Sequence, residues 1–131
     1  MKADEFSLHS HHPKIHTGSI AALENNLKEE KFGVLWTFDI KEKLDEKGCH
    51  LDEEFIVLEV CNPKEAERIL KETKLAGYFL PCKIVVYKEE GQTKIGLPRP
   101  TALISILDQR PLQEMAEDIE ERLIGCLNKS V

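Results

Sequence analysis

The chain has 131 residues, which predicts a single domain over residues 1–131 with one hydrophobic core. Its 41% hydrophobic and 32% charged residues are ordinary for a globular chain and exclude a wholly disordered one. The net charge of −6 opposes binding to phosphate backbones, which depends on clustered Lys and Arg, so we expect no nucleic-acid partner. The apolar runs are far shorter than the about 20 residues of a membrane span. Without an export signal after Met1, we expect a cytoplasmic protein.

The first half of the chain predicts two strands and a helix. Residues 5–11 alternate apolar and polar side chains, as in a half-buried strand. Ser19 is expected to cap a helix that ends near residue 31. Residues 34–40 form the clearest strand, and its aromatic face is expected to be core, with a ligand pocket or dimer contact as the alternatives. The charged residues 41–54 predict a surface excursion with room for one helical turn.

A strand followed directly by a helix is the best specified part of the sequence. Phe55–Cys61 is a compact run rich in β-branched residues, which is typical of a strand. Asn62 is a good N-cap, and Pro63 at the first helical position loses no hydrogen bond. Glu65 has the spacing of a capping box, so we expect a helix over residues 63–74.

The second half predicts a hairpin and a long helix. Residues 82–88 and 93–97 are expected to pair through a turn at Glu90-Gly91, whereas residues 101–107 fit either a short helix or a strand. The charged run 117–122 predicts a solvated helix face. The final helix, from Pro111, has one apolar stripe of Leu112, Met115, Ala116, Ile119, Leu123 and Leu127. Together the elements predict an α+β fold, an antiparallel sheet with helices on one face, of the β-α-β4-α type with an inserted helix.

The four cysteines are expected to be free thiols, because disulfides are rare in the cytoplasm. If the strands that hold Cys61 and Cys82 are antiparallel neighbours, both thiols share one rim of the sheet. If the strands are parallel, the thiols lie about 20 Å apart. Cys61 also precedes a helix N-terminus, which is expected to lower its pKa and make it the best nucleophile candidate. The alternative is that both thiols are buried as small hydrophobes, as we expect for Cys126. Cys49, beside His50, is expected in a surface loop.

The histidine-rich start is a candidate metal site. His9 and His11 would project from the same face of the first strand about 7 Å apart, which suits two imidazoles on one zinc ion. At least one further ligand would be needed, and no recognised zinc spacing supplies it. An exposed histidine cluster without a metal function is the alternative.

Three segments together resemble a known family. Residues 32–35 read Phe-Gly-Val-Leu, Cys61 is followed by Asn62-Pro63, and residues 80–87 begin Leu-Pro-Cys. In this order, and over roughly residues 19–127, they are similar to the family called domain of unknown function 302. The resemblance implies an antiparallel sheet with helices on one face, grouped with the TATA-binding-protein-like fold, and a homodimer. It implies no biochemical activity.

Two hypotheses of function follow, and the sequence leaves open whether the chain is an enzyme. The first is a cytoplasmic homodimer that binds a small ligand or a metal ion such as zinc at a rim formed by Cys61, Asn62 and Cys82. Its discriminating feature is the lack of an evident general base. The second is a thiol-dependent redox or transfer enzyme with Cys61 as attacking sulfur and Cys82 as resolving partner. Tyr78 and Phe79 are expected to form a lid over this rim or, preferably, a subunit interface.

Overall fold

The computed structural model describes the backbone of residues 7–12 and 17–130, with side chains from Ile20 to Ser130. One five-stranded sheet, antiparallel throughout, has the strand order β1-β5-β4-β3-β2. The strands are β1 (Ser7–His12), β2 (Gly33–Asp39), β3 (Phe55–Cys61), β4 (Cys82–Glu89) and β5 (Gln92–Pro98).

Within residues 17–130, five helices and two short 3₁₀ segments connect and cover these strands. The helices are α1 (Thr17–Glu29), α2 (Ile40–Glu46), α3 (Pro63–Glu72), α4 (Pro100–Ile104) and α5 (Arg110–Lys129), and the 3₁₀ segments are Lys74–Tyr78 and Ser105–Leu107. No helix within residues 17–130 is long and apolar enough to cross a bilayer.

The hydrophobic core lies between one face of the sheet and the helices α1, α3 and α5. Alternate residues of β3, β4 and β5 point into it, and each strand contributes side chains that are at most 1% exposed, such as Leu58, Ile84 and Leu97. The whole predicted stripe of α5 is buried against them. The predicted α+β class, with an antiparallel sheet and helices on one face, is therefore confirmed.

The β4–β5 hairpin follows the predicted turn chemistry. Glu90 and Gly91 have φ angles of 51° and 77°. Two consecutive left-handed residues define the hairpin turn whose twist matches that of the strands. The strand pair is in register from Val85 and Gly96 to the turn.

Strand β2 departs from the predicted alternation at a bulge. Val34 pairs with Val60, but Trp36 pairs with Glu59, so the register shifts at Leu35. Val34 therefore packs against the core, whereas Trp36 and the residues in phase with it lie on the opposite face of the sheet. The expectation that this aromatic face belongs to the core is wrong, because Trp36 is 55% exposed.

That opposite face, here called the open face, carries two aromatic pairs. Trp36 stacks on Phe38 with 4.9 Å between ring centroids. Phe55 of β3 stacks on its cross-strand partner Tyr87 at 5.3 Å. The Phe55–Tyr87 pair stabilises the pairing of β3 with β4. Both pairs leave an aromatic surface that the core helices do not cover.

Residues 101–107 adopt the helical alternative because a buried carboxylate organises them. Glu120 of α5 is 7% exposed and accepts hydrogen bonds from the backbone N–H of Thr101 at 3.2 Å and from its hydroxyl at 2.7 Å. Arg99 donates to the other carboxylate oxygen from Nη2 at 3.2 Å. The charged run 117–122 is thus only partly a solvated face, and its prediction is wrong for Glu120.

Two helix starts differ from expectation. Helix α1 begins at Thr17, so Ser19 lies inside the helix and is not its cap. Helix α2 is longer than one turn, and Asp39 caps it by accepting a hydrogen bond from the N–H of Glu42 at 3.0 Å. The sequence did not predict the cap at Asp39, because the same residue ends strand β2.

Candidate functional site

The register of the sheet brings the two cysteine motifs together. Val60 pairs with Cys82, and Cys61 is the next residue of β3. The predicted antiparallel arrangement of β3 and β4 is confirmed. It brings the two thiols to one end of the strand pair, although 20 residues of chain lie between them. Both cysteines are partly buried free thiols.

Neighbouring residues fix the backbone after the end of β3 and before the start of β4. Asn62 caps α3, because its Oδ1 accepts a hydrogen bond from the N–H of Glu65 at 3.2 Å. Pro63 occupies the first turn of the helix, where the missing N–H removes no hydrogen bond. On the other side of the rim, the Leu80–Pro81 peptide is cis and leads directly into β4.

Cys61 and Cys82 line one small cavity, here called the thiol cavity. Its free volume is about 10 Å³, which is room for about one water molecule. The other lining residues are Phe32, Asn62, Glu65, Ala66, Ile69, Leu80, Met115 and Ile119. The predicted rim residues Cys61, Asn62 and Cys82 therefore do meet, in a mostly apolar wall.

The environment of both thiols disfavours the thiolate. Burial, and secondly the Glu65 carboxylate, raise the pKa of Cys61. For Cys82, burial is again the largest cause, and with the negative charges of Cys61, Glu59 and Glu65 it raises the pKa to about 12. The prediction that the helix N-terminus lowers the pKa of Cys61 is wrong, because desolvation and a nearby carboxylate outweigh the partial charge of the helix end.

Glu65 is the functional candidate that sequence reasoning missed. Its Oε1 accepts a short hydrogen bond of 2.6 Å from Nη1 of Arg122. Its Oε2 is buried and has no hydrogen-bond partner within residues 20–130. Buried acceptors are normally hydrogen-bonded, and Glu65 lines the thiol cavity, which has room for about one water molecule as the donor. The sequence showed Glu65 only as part of a helix cap.

Arg122 holds Glu65 in place through a network that joins α3, α5 and the turn after α1. Its Nε donates to Glu30 Oε1 at 3.2 Å, and its Nη2 donates to the Glu30 backbone oxygen at 2.6 Å. Nη1 also reaches Asp118 Oδ2 at 3.2 Å, and the guanidinium lies 4.9 Å from the centre of the Phe32 ring. Arg122 belongs to the charged run that was predicted to be a solvated face, so that prediction is wrong here as well.

Leu80 and Cys82 are the common wall of three cavities. One is the thiol cavity, and a second, apolar cavity of about 30 Å³ lies towards Pro100 and Ile104. The third, here called the outer groove, opens to solvent and has a free volume of about 510 Å³. Its other lining residues are Glu59, Tyr78, Phe79, Pro81, Lys83, Pro98 and Leu103.

The two remaining cysteines lie apart from this rim. Cys126 is buried, as predicted, and donates from its thiol to the Asn26 backbone oxygen at 3.4 Å. Cys49 is exposed in the loop after α2, as expected. Tyr78 is 83% exposed beside the outer groove.

Metal binding has little support in the described part of the chain. Among the residues with described side chains, no group of three or more His, Cys, Asp and Glu is arranged to hold a metal ion. His9 and His11 lie in β1 with Gly96 and Lys94 as their Cα partners. Their side chains fall outside the described residues, so the two-histidine zinc site stays a prediction.

Comparison with known proteins agrees with the motifs and the fold. The family model for domain of unknown function DUF302 matches residues 8–130. The crystal structure of an uncharacterized conserved DUF302 protein from Bacillus stearothermophilus is similar to this chain at 48% identity and a TM-score of 0.91, covering 96% of this chain and 98% of that one. No curated protein matches the chain. The match over nearly the full length shows that the chain belongs to the DUF302 family.

Proposed function

We propose that this protein is a homodimeric small-ligand-binding domain whose ligand occupies the outer groove beside Leu80, Pro81 and Cys82. The observation that carries the proposal is the meeting of three cavities at Leu80 and Cys82, one of which is large and open. The volume of the outer groove, about 510 Å³, falls within the range of about 300–1,000 Å³ that small-molecule sites occupy. The thiol cavity is too small to hold such a ligand by itself.

The thiol chemistry supports binding more than catalysis. A nucleophilic cysteine reacts as its thiolate, and both thiols of the rim have raised pKa values. The rim therefore offers hydrogen-bond donors and apolar surface at neutral pH. In this reading, Cys82 forms part of the ligand's contact surface, and Asn62 and Cys61 shape the wall behind it.

A fragment library, screened by chemical-shift changes in the labelled protein, tests this proposal. We expect hits whose shift changes concentrate on residues 78–83 and Leu103. Leu103→Trp should fill the groove and abolish these hits, whereas Leu70→Trp, at an exposed position of α3, should keep them. The proposal is wrong if no fragment binds, or if hits are unaffected by Leu103→Trp in a protein that melts normally.

The homodimer is proposed to form through the open face. Exposed aromatic rings are enriched at subunit contacts, and Trp36 remains 55% exposed beside Phe38. We expect light scattering to give twice the mass of the chain, and Trp36→Lys to shift it to one chain. Ile106→Lys is the control, because Ile106 is 77% exposed outside the sheet. A wild-type protein of single-chain mass at high concentration would contradict the dimer.

A thiol redox enzyme is the second candidate, favoured by the shared cavity of Cys61 and Cys82. It requires that the pair can form a disulfide in the folded protein. Diamide supplies the oxidant: it accepts two electrons and two protons as the two thiols join. We expect little reaction in native protein, with a loss of two hydrogen masses only after denaturation. Rapid native formation of the Cys61–Cys82 disulfide would favour the enzyme over the binding domain.

A further inference from the structure

The outer groove is lined by one acidic and one basic side chain, which differ in their exposure to solvent. Glu59 and Lys83 are Cα partners across β3 and β4, and both line the groove. Within residues 20–130, neither side chain has an ion-pair partner. Glu59 is half-buried and Lys83 is exposed. Exposed charges are screened by water and salt, so the carboxylate contributes more than the ammonium to the field inside the groove.

From this geometry we infer that the ligand of the outer groove is a small organic cation, with its ammonium group at Glu59 and its apolar body against Tyr78 and Phe79. The inference rests on the proposed ligand-binding function and adds the chemical class of the ligand. Lys83 lies at the exposed side of the groove, where its flexible chain can turn into solvent.

A second set of charges favours a cation over an anion. Cys82 forms the inner wall of the groove, and the carboxylates of Glu59 and Glu65 both act on its thiol by raising its pKa. Both carboxylates therefore favour a positive charge at this wall. An anionic ligand held by Lys83 would place its charge beside Glu59 and be repelled. The net charge of −6 attracts cations to the protein over a longer range.

The apolar part of the groove suits the same class of ligand. Tyr78, Phe79, Pro98 and Leu103 supply aromatic and aliphatic surface, and Tyr78 is largely exposed and thus free of other packing. A cation near an aromatic face is attracted to it even at an exposed site. An amine with a short apolar tail would contact both the carboxylate and these side chains.

Three probes of similar size and different charge provide the test. Phenethylamine, 2-phenylethanol and 3-phenylpropionate are titrated separately into the labelled full chain, and dissociation constants are taken from the shifts of residues 78–83. We expect phenethylamine to bind at least about fivefold tighter than phenylpropionate, and this ratio to fall as sodium chloride is raised. The neutral alcohol should lie between them.

Variants separate the charge from the shape of the groove. Glu59→Gln should bring the ratio between the amine and the acid to about one, whereas Lys83→Gln should leave amine binding intact or stronger. Glu24→Gln, at an exposed position of α1, is the matched control. The inference is overturned if the acid binds tighter, if Glu59→Gln leaves the ratio unchanged, or if phenethylamine does not bind. Failure of the whole fragment library would instead overturn the proposed function.

Discussion

The buried state of Cys82 makes a quantitative prediction about its alkylation. At pH 8, an ordinary thiol with a pKa of 9.0 is about 9% thiolate, whereas a pKa of about 12 leaves about 0.01%. Because only the thiolate reacts with iodoacetamide, Cys82 should react about 10³-fold more slowly than a cysteine in a short peptide. The rate should rise about tenfold per pH unit between pH 8 and 10. After denaturation it should match the peptide.

Peptide-resolved mass spectrometry of the native chain measures this rate without removing any thiol. Exposed Cys49 reports in the same sample that the reagent is active. Glu65→Gln should accelerate the reaction of both Cys61 and Cys82, because it removes a charge that raises both pKa values. Glu67→Gln, on the exposed side of the same helix, should change neither. A native rate for Cys82 within tenfold of the peptide at pH 8 would refute the reasoning.

The remaining predictions concern stability, measured as the free energy of unfolding in urea. The folded state keeps the Cys82 thiol protonated, whereas the unfolded chain ionises it near pH 9.0. The contribution of this thiol to the free energy of unfolding is therefore complete below pH 9.0 and is lost as the pH rises towards 12. Between pH 8 and 10.5, the wild type should lose about 2 kcal/mol more than Cys82→Ala, and equal losses would contradict this. Arg122→Met should cost about 2 kcal/mol by breaking partly buried charged hydrogen bonds, and Glu65→Gln in the same chain should recover part of it; a neutral Arg122→Met would contradict the network. Thr93→Val should stabilise by about 1 kcal/mol, because the fully buried Thr93 hydroxyl has no partner within residues 20–130. Thr101→Val should destabilise by a similar amount, since its hydroxyl donates to Glu120, and the opposite signs would refute both assignments.

The elements that the sequence predicted well are those whose specification is local. The junction of β3 and α3 depends on Asn62 and Pro63, which act on neighbouring backbone groups. The apolar stripe of α5 follows from the helical period of its hydrophobic residues, and it predicts burial whatever surface the helix packs against. The hairpin turn needs only two residues that adopt left-handed φ angles, Glu90 and Gly91. In each case, the information lies within a few residues of the feature itself.

The features that the sequence did not predict depend on distant partners. The bulge at Leu35 changes which face Trp36 occupies, and an alternating pattern contains no sign of an extra residue. Arg122 and Glu65 are 57 positions apart. The sequence of a charged run is the same whether its side chains face water or an ion-pair partner. The pKa of Cys61 was predicted in the wrong direction for the same reason, since burial is a tertiary property.

The guanidinium of Arg122 connects the packing of the helices with the protonation of the two thiols. Arg122, on α5, joins α3 through Glu65 and the turn after α1 through Glu30. These bonds fix a carboxylate in the wall of the thiol cavity. Because Arg122 pairs with only one oxygen of Glu65, the other remains an acceptor, and the carboxylate charge still disfavours thiolates at Cys61 and Cys82. We therefore propose that this site holds a hydrogen-bond donor or a cation, because protonated thiols are weak nucleophiles.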